Sequence, residues 1–265
     1  MESSAPPKPP EGYLPVARWS YWQVILVFVA GIFGSLIAAL IMVGLGIDAL
    51  EPLPFTIVFM AQTGASFAVV VWLSWTRGTK SLSADFGLVI RPGQWWGVPA
   101  GMALQVVVAL VTAPFIFWIF GDNPPEQSVS EIAGTSQTVI EQLLVIVAIA
   151  VAAPIIEEVI YRGMLLSTLR RRFGRWVSIL ISATIFAGIH AVLDPNAIAA
   201  VPGLFLLGVV LAYAALRTGD LSLPIALHSG VNLLAAIALL YGQQIGEWAE
   251  RQLEELEAVI TFFPF

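Results

Sequence analysis

The sequence predicts an all-α protein, built as a polytopic bundle of transmembrane helices. Three observations predict this fold class: 58% of the 265 residues are hydrophobic, only 11% are charged, and the mean hydropathy is +0.87. A soluble globular chain carries about 45–50% apolar and about 25% charged residues. The apolar surplus excludes an ordinary soluble domain, a disordered chain, and a nucleic-acid binder, which would need a basic surface.

Seven apolar stretches are long enough to cross a bilayer as helices, which takes about 20 residues each. They cover residues 22–47, 54–76, 95–121, 139–165, 176–193, 198–216 and 222–242. An eighth span is left open. The following segment, residues 244–265, is polar with spaced apolar residues, so we expect a C-terminal tail that could form an amphipathic helix.

Basic residues are distributed unequally between the two sides of the predicted bundle. Alternating the seven spans places eleven of the twelve Lys and Arg residues on one side and leaves Arg251 on the other. Basic residues in short loops favour the cytoplasmic side. The sequence therefore predicts an integral membrane protein with a cytoplasmic N-terminus and an extracytoplasmic C-terminus.

Ionisable residues inside the spans are the strongest functional signal. Each costs at least about 2.5–3.5 kcal/mol on membrane-insertion scales, so such a residue usually has a partner or a functional role. They are Glu157, Glu158 and Arg162 in the fourth stretch, His190 in the fifth and His228 in the seventh, where Asn232 follows four residues later.

Helical spacing divides these residues into groups. Glu158 and Arg162 are four residues apart, so they lie on one helix face and can form an ion pair. Glu157 points about 100° away from Glu158 and is left outside that pair. His228 and Asn232 also share a face, because they too are four residues apart.

This set of side chains suits the hydrolysis of an amide. Glu157 and His190 facing one another could hold and deprotonate a water molecule, and His228 with Asn232 could donate hydrogen bonds to the oxyanion that forms. A second option is that Glu157, His190 and His228 ligate a divalent metal ion such as zinc, which would activate the water. The chain has no cysteine, so a thiolate nucleophile is excluded.

Three motifs in this region resemble those of the CPBP intramembrane protease family, which comprises the type II CAAX prenyl endopeptidases and bacteriocin-processing membrane enzymes. They are EEVIYRG at 157–163, FAGIH at 186–190 and HSGVN at 228–232. Their order matches the family pattern EExxxR, FxxxH, HxxxN. The resemblance covers about residues 140–240, and the N-terminal half is similar only as generic membrane helices.

The resemblance implies an endopeptidase whose substrate is a membrane-delivered peptide or protein, of which a prenylated CAAX-type protein is one form. It implies that Glu157 is the catalytic carboxylate and His190 its partner on the water, with His228 and Asn232 stabilising the oxyanion. It also implies that Glu158 and Arg162 support the site. The water would be activated either by glutamate alone, without a cofactor, or by a divalent metal.

On this basis we divide the chain into four segments. These are a Pro-rich disordered tail at 1–20, N-terminal transmembrane helices at 21–138, a protease core of the CPBP type at 139–243 and the C-terminal tail at 244–265. We expect the lipid bilayer to be a partner and nucleic acid not to be one, and the oligomeric state is left open.

Two alternatives come from other functional classes. A non-catalytic membrane scaffold or binding protein could retain the fold and the motifs, and a transporter could use buried Glu and His as a proton relay. We find no internal repeat of the kind that many transporters show, which argues against transport.

Overall fold

The computed structural model describes residues 19–125, 127–129 and 135–262, without the side chains of Gln243 and of residues 254–262. The tail predicted at 1–20 thus lies almost entirely outside the described residues. The described chain forms α1 (Tyr21–Gly44), α2 (Pro52–Arg77), α3 (Leu82–Phe86), α4 (Gly97–Phe120), α5 (Val139–Leu169), α6 (Arg175–Leu193), α7 (Val201–Thr218) and α8 (Ser222–Phe262).

The prediction of an all-α membrane bundle is confirmed. In the described part of the chain no β-strand is present, and every helix except α3 is long and apolar enough to cross a membrane. The seven spans agree with the predicted stretches to within a few residues, and no eighth span is found among the described residues. The protein is therefore an integral, multi-pass membrane protein. Helix α8 continues beyond its apolar segment into the polar tail.

Helix α5 is the centre of the bundle and contacts α1, α2, α6, α7 and α8. A capping box starts it: the Glu141 amide donates to Thr138 Oγ1 at 3.2 Å, and the Thr138 amide donates to Glu141 Oε2 at 2.9 Å. All residues from Val159 to Leu169 are buried. The burial of so long a segment explains how a polar motif can be held in a membrane helix.

Two segments of α5, Ala148–Ala152 and Val159–Leu166, have π-helical hydrogen bonding, and they flank the two adjacent glutamates. The first segment ends two residues before Pro154, which has no amide hydrogen to donate to a regular helical bond. Single π turns are rare in proteins, but those that occur are often found at functional sites. The widened turns thus mark the part of α5 that carries the motif.

Helices α4 and α8 approach one another closely at two glycines. A Cβ atom on Gly101 would collide with the carbonyl oxygen of Leu227, and a Cβ atom on Gly230 would collide with that of Val98. Small residues let membrane helices pack backbone to backbone. This contact holds the two helices that form one side of the cavity described below.

Residues 78–91, which we call the inserted loop, fold back against the bundle between α2 and α4. The Phe86 ring stacks on Trp19 with ring centroids 5.0 Å apart, and the Trp19 indole Nε1 donates to the Asp85 carbonyl at 3.0 Å. The Leu221 amide donates to the Gly87 carbonyl at 2.9 Å. The inserted loop is thereby fixed to the end of the bundle that carries the turn between α5 and α6 (residues 170–175), which we call the arginine-rich turn.

The Asp85 carboxylate holds the inserted loop to the end of α2. Burial raises the pKa of this carboxyl, but hydrogen bonds from the Ser74 hydroxyl and from the Thr79 amide and hydroxyl outweigh that effect, so the pKa lies below its ordinary value. The folded protein therefore stabilises the ionised form of Asp85.

Candidate active site

A cavity of about 700 Å³ lies between α2, α4, α5, α6, α7 and α8. Ligand pockets in proteins have volumes of about 300–1,000 Å³. Its wall includes all four residues for which the sequence predicts catalytic roles, Glu157, His190, His228 and Asn232. Three helices thus bring the separated motifs to one space.

The two adjacent glutamates of α5 have different surroundings. The Glu157 side chain is 24% exposed and lines the cavity, whereas the Glu158 side chain is fully buried. Neighbouring residues of a helix point in directions that differ by about 100°, which explains the divergence. Glu157 can therefore meet a substrate or a water molecule, and Glu158 is turned into the protein.

Glu158 and Arg162 form the predicted ion pair. Arg162 Nη1 donates to Glu158 Oε1 at 2.9 Å, and both side chains are fully buried. Arg162 Nη2 also donates to the Gly208 carbonyl of α7 at 3.2 Å, and the guanidinium lies over the Phe186 ring of α6, 4.6 Å from its centroid. Arg162 thus connects α5 to α6 and α7.

His228 of α8 lies between the two glutamates. Its Nδ1 is 2.9 Å from Glu158 Oε1, and its Nε2 is 3.7 Å from Glu157 Oε2. A carboxylate accepts hydrogen bonds, so Nδ1 is the donor in the shorter contact. That hydrogen bond fixes the ring and turns Nε2 toward Glu157 on the cavity wall.

His190 is held in the last turn of α6. Its Nδ1 is 2.7 Å from the Phe186 carbonyl, which can only accept, so Nδ1 carries a hydrogen and the neutral ring keeps its lone pair on Nε2. The Phe186 ring packs edge-on against both histidines, with centroids 4.9 Å from His190 and 5.8 Å from His228. One buried phenylalanine therefore positions both imidazoles.

Asn232 of α8 reaches across to a π segment of α5, where its Nδ2 donates to the Ile149 carbonyl at 2.9 Å. A side-chain amide nitrogen has two hydrogens, so this bond leaves one for another acceptor. Because Asn232 lines the cavity one turn after His228, both can donate to the same bound group.

Comparison with known proteins identifies the segment that carries these residues. Residues 139–234 match the model of the family described as type II CAAX prenyl endopeptidase Rce1-like. This segment, about a third of the chain, is similar to that family and contains all three motifs.

Two relatives extend the comparison beyond that segment. YdiL of Bacillus subtilis (strain 168), which is named as a candidate membrane peptidase, is 22% identical over 249 residues, covering 92% of this chain and 98% of that one. An uncharacterised 24.3 kDa protein of Escherichia coli is 28% identical over 141 residues, covering 52% of this chain and 56% of that one. The chain thus spans little more than half the length of the Escherichia coli relative. No solved structure matches the chain.

The residues predicted as possible metal ligands are Glu157, His190 and His228. Among the described residues, no three carboxylates or imidazoles are arranged to hold one metal ion. The Nδ1 atoms of His190 and His228 are engaged by hydrogen bonds within the protein, so only the Nε2 atom of each ring could bind a metal ion. We derive the hydrolysis below from the protein's own residues.

The cavity wall also includes polar residues that the sequence reasoning missed. Gln105 and Thr112 of α4 and Asp122 in the loop that follows it face the same space as Glu157. Gln105 could have been found, since a glutamine in the middle of an apolar span is a signal of the same kind as His190. Asp122 could not, because an acidic residue after a span is ordinary in a loop.

Proposed function

We propose that the protein is an intramembrane endopeptidase that hydrolyses a peptide bond of a membrane-associated substrate. A prenylated protein of the CAAX type is one form such a substrate could take. The observation that carries the proposal is the position of Glu157, whose Oε2 lies 3.7 Å from His228 Nε2 on the wall of a cavity inside a membrane bundle. The similarity of residues 139–234 to the type II CAAX prenyl endopeptidase family supports the same reaction class.

In the proposed reaction Glu157 acts as the general base. A water molecule in the cavity gives a proton to the Glu157 carboxylate as its oxygen attacks the carbonyl carbon of the scissile peptide bond. General-base help of this kind is worth about 10²–10⁴ in rate. His190 contributes its Nε2 lone pair from the facing helix, where it can accept the second hydrogen of the same water.

The attack turns the carbonyl oxygen into an oxyanion, which hydrogen-bond donors must stabilise. Asn232 has one amide hydrogen left after its bond to the Ile149 carbonyl. His228 is a second donor in the form that carries hydrogen on both ring nitrogens. Its Nδ1 remains bound to Glu158 while Nε2 donates to the oxyanion. Prepositioned donors need no rearrangement when charge develops, which is why they lower the barrier.

Collapse of the tetrahedral intermediate completes the cycle. The carbon–nitrogen bond breaks, the proton held by Glu157 passes to the leaving nitrogen, and the products are a new carboxylic acid, which then loses its proton to water, and a free amine. All atoms come from the substrate and one water molecule, so the reaction needs no redox partner.

The test uses the purified protein in nanodiscs and internally quenched peptides that carry a lipid anchor, with and without a prenylated cysteine. We expect cleavage by the natural protein and a loss of at least about 100-fold in Glu157→Gln, which removes the base but keeps the shape. The matched control is Glu51→Gln, the same exchange at an exposed residue before α2, which should cleave normally.

The other outcomes separate the competing functions. Full activity in Glu157→Gln would show that Glu157 is not the base, and a natural protein that binds but never cleaves would favour the scaffold. Loss of activity in a chelator, restored by zinc, would show that a metal activates the water. We expect turnover to persist in protein shown to be free of metal.

A further inference from the structure

The cavity occupies only one half of the bundle. Its wall on α4 runs from Gln105 to Phe117 and continues into the exposed residues Gly121 and Asp122 of the following loop. On α7 it uses the first two turns, from Gly203 to Leu207. The cavity therefore opens at the end of the bundle where α4 ends and α7 begins.

The opposite end of the bundle is closed. Below Glu157, toward the arginine-rich turn, lies a layer of side chains that are at most 2% exposed, formed by Tyr161, Arg162, Phe186 and Leu211. The inserted loop (residues 78–91) covers this layer from outside. Phe86, fully buried, packs so closely on Gly163 that a Cβ atom there would lie 2.8 Å from the Phe86 carbonyl oxygen.

The closed end is also the basic end. The loops there carry Arg77, Lys80, Arg91, Arg170, Arg171, Arg172, Arg175 and Arg217, and no residue of these loops lines the cavity. The loop at the open end contributes Asp122 to the cavity wall, and Asp194 of the same end binds the Ser128 amide at 2.7 Å. Because Lys and Arg in short loops favour the cytoplasmic side, this asymmetry orients the cavity.

We propose that the cavity opens to the extracytoplasmic side of the membrane, so that the protein cleaves a peptide segment at the outer leaflet or emerging from it. This inference rests on the function proposed above and names the side from which the substrate enters. The mostly apolar wall favours a substrate with apolar side chains next to the scissile bond. The C-terminus of a cytoplasmic substrate, such as a prenylated CAAX-type protein, would have to pass the buried layer and the inserted loop before reaching Glu157, so this inference narrows the proposed function to substrates on the extracytoplasmic side.

The orientation of the protein in the membrane can be measured by labelling single introduced cysteines, because the natural chain contains none. Three single variants are made: Asn123→Cys in the loop at the open end, Arg171→Cys at the closed end, and Ala113→Cys on the cavity wall. Intact cells are treated with a maleimide that cannot cross the membrane, before and after permeabilisation, and labelling is read by gel shift. The readout does not depend on catalysis.

We expect Asn123→Cys and Ala113→Cys to be labelled in intact cells and Arg171→Cys only after permeabilisation. The reverse pattern would overturn the inference, since the open end would then face the cytoplasm. An Ala113→Cys that resists labelling from either side would overturn it as well, because it would show that the cavity is closed to water.

A second measurement separates this inference from the proposed function. The protein is reconstituted in sealed vesicles of known orientation, and an internally quenched peptide with a charged tag that prevents bilayer crossing is added outside. Cleavage should occur only in vesicles whose open end faces the peptide. Cleavage from the closed end would overturn the inference alone, whereas failure to cleave any peptide even in detergent would overturn the proposed function and leave the labelling result standing.

Discussion

A single buried oxygen connects the charged residues of the site. Glu158 Oε1 accepts from Arg162 Nη1 and lies 2.9 Å from His228 Nδ1, so the carboxylate that cannot reach the cavity positions the imidazole that can. The sequence predicts the Glu158–Arg162 pair because the spacing is local. It does not predict the contact with His228, which is 70 residues away and depends on how α8 crosses α5.

The buried ion pair of Arg162 with Glu158 should stabilise the folded protein. Arg162→Met should destabilise the protein by about 3–5 kcal/mol, because it leaves a buried carboxylate without its cation. The control Arg171→Met removes the same charge from an exposed turn and should change little. Thermal unfolding in detergent measures both, and equal midpoints for the two variants would contradict the role of Arg162.

Asn232 should affect the rate of the chemical step. Asn232→Ala should lower turnover by about 10²–10³ because one oxyanion donor is lost, while substrate affinity changes much less. Measuring kcat and KM of the natural protein and of Asn232→Ala on one peptide separates an effect on turnover from an effect on substrate affinity. A variant that raised KM alone would show that Asn232 binds the substrate in its ground state and does not stabilise the oxyanion.

At the scale of elements, helix ends and small-residue contacts fix the shape of the cavity. The apolar lengths predicted the helices well, since a membrane-spanning segment must satisfy its own backbone hydrogen bonds. The π segments of α5 were not predicted, because spacing arguments assume about 3.6 residues per turn throughout. Only the packing around Pro154 and the motif reveals them.

The close contact of α4 and α8 gives a prediction for these elements. Gly230→Val should push the two helices apart, lower the unfolding temperature and reduce cleavage, because its side chain would meet the Val98 carbonyl. Gly64→Val in α2 is the matched control, since a Cβ atom there meets nothing within 4 Å. Equal stability and equal activity of the two variants would show that the close contact of α4 and α8 is not needed.

The inserted loop gives a prediction for pH. The pKa of Asp85 is lower in the folded protein than in the unfolded chain, so its stabilisation is present above the ordinary range of an aspartate and is lost as the pH falls through the lowered pKa. Unfolding temperature should therefore drop on acidification below about pH 4. Asp85→Asn should be less stable at neutral pH and should lose part of that dependence, whereas Asp122→Asn should keep it.

For the whole molecule, the sequence predicts the number of spans and the candidate residues but not the end at which the cavity opens. The sequence predicts seven spans, and the structure has seven in its described residues. The four candidate residues could be chosen from the sequence because each is costly inside a membrane. The end at which the cavity opens could not be predicted from the sequence. It depends on the buried layer and on the inserted loop, which pack through contacts distant in sequence.

The central claim is that a water molecule activated at Glu157 cleaves a peptide bond within this cavity. The most direct measurement is single-turnover cleavage of a lipid-anchored peptide in ¹⁸O-labelled water, with the fragments weighed by mass spectrometry. We expect one ¹⁸O atom in the new carboxylate of the N-terminal fragment from the natural protein, and almost no product from Glu157→Gln. Intact peptide after incubation with the folded natural protein, or equal labelled product from both proteins, would contradict it.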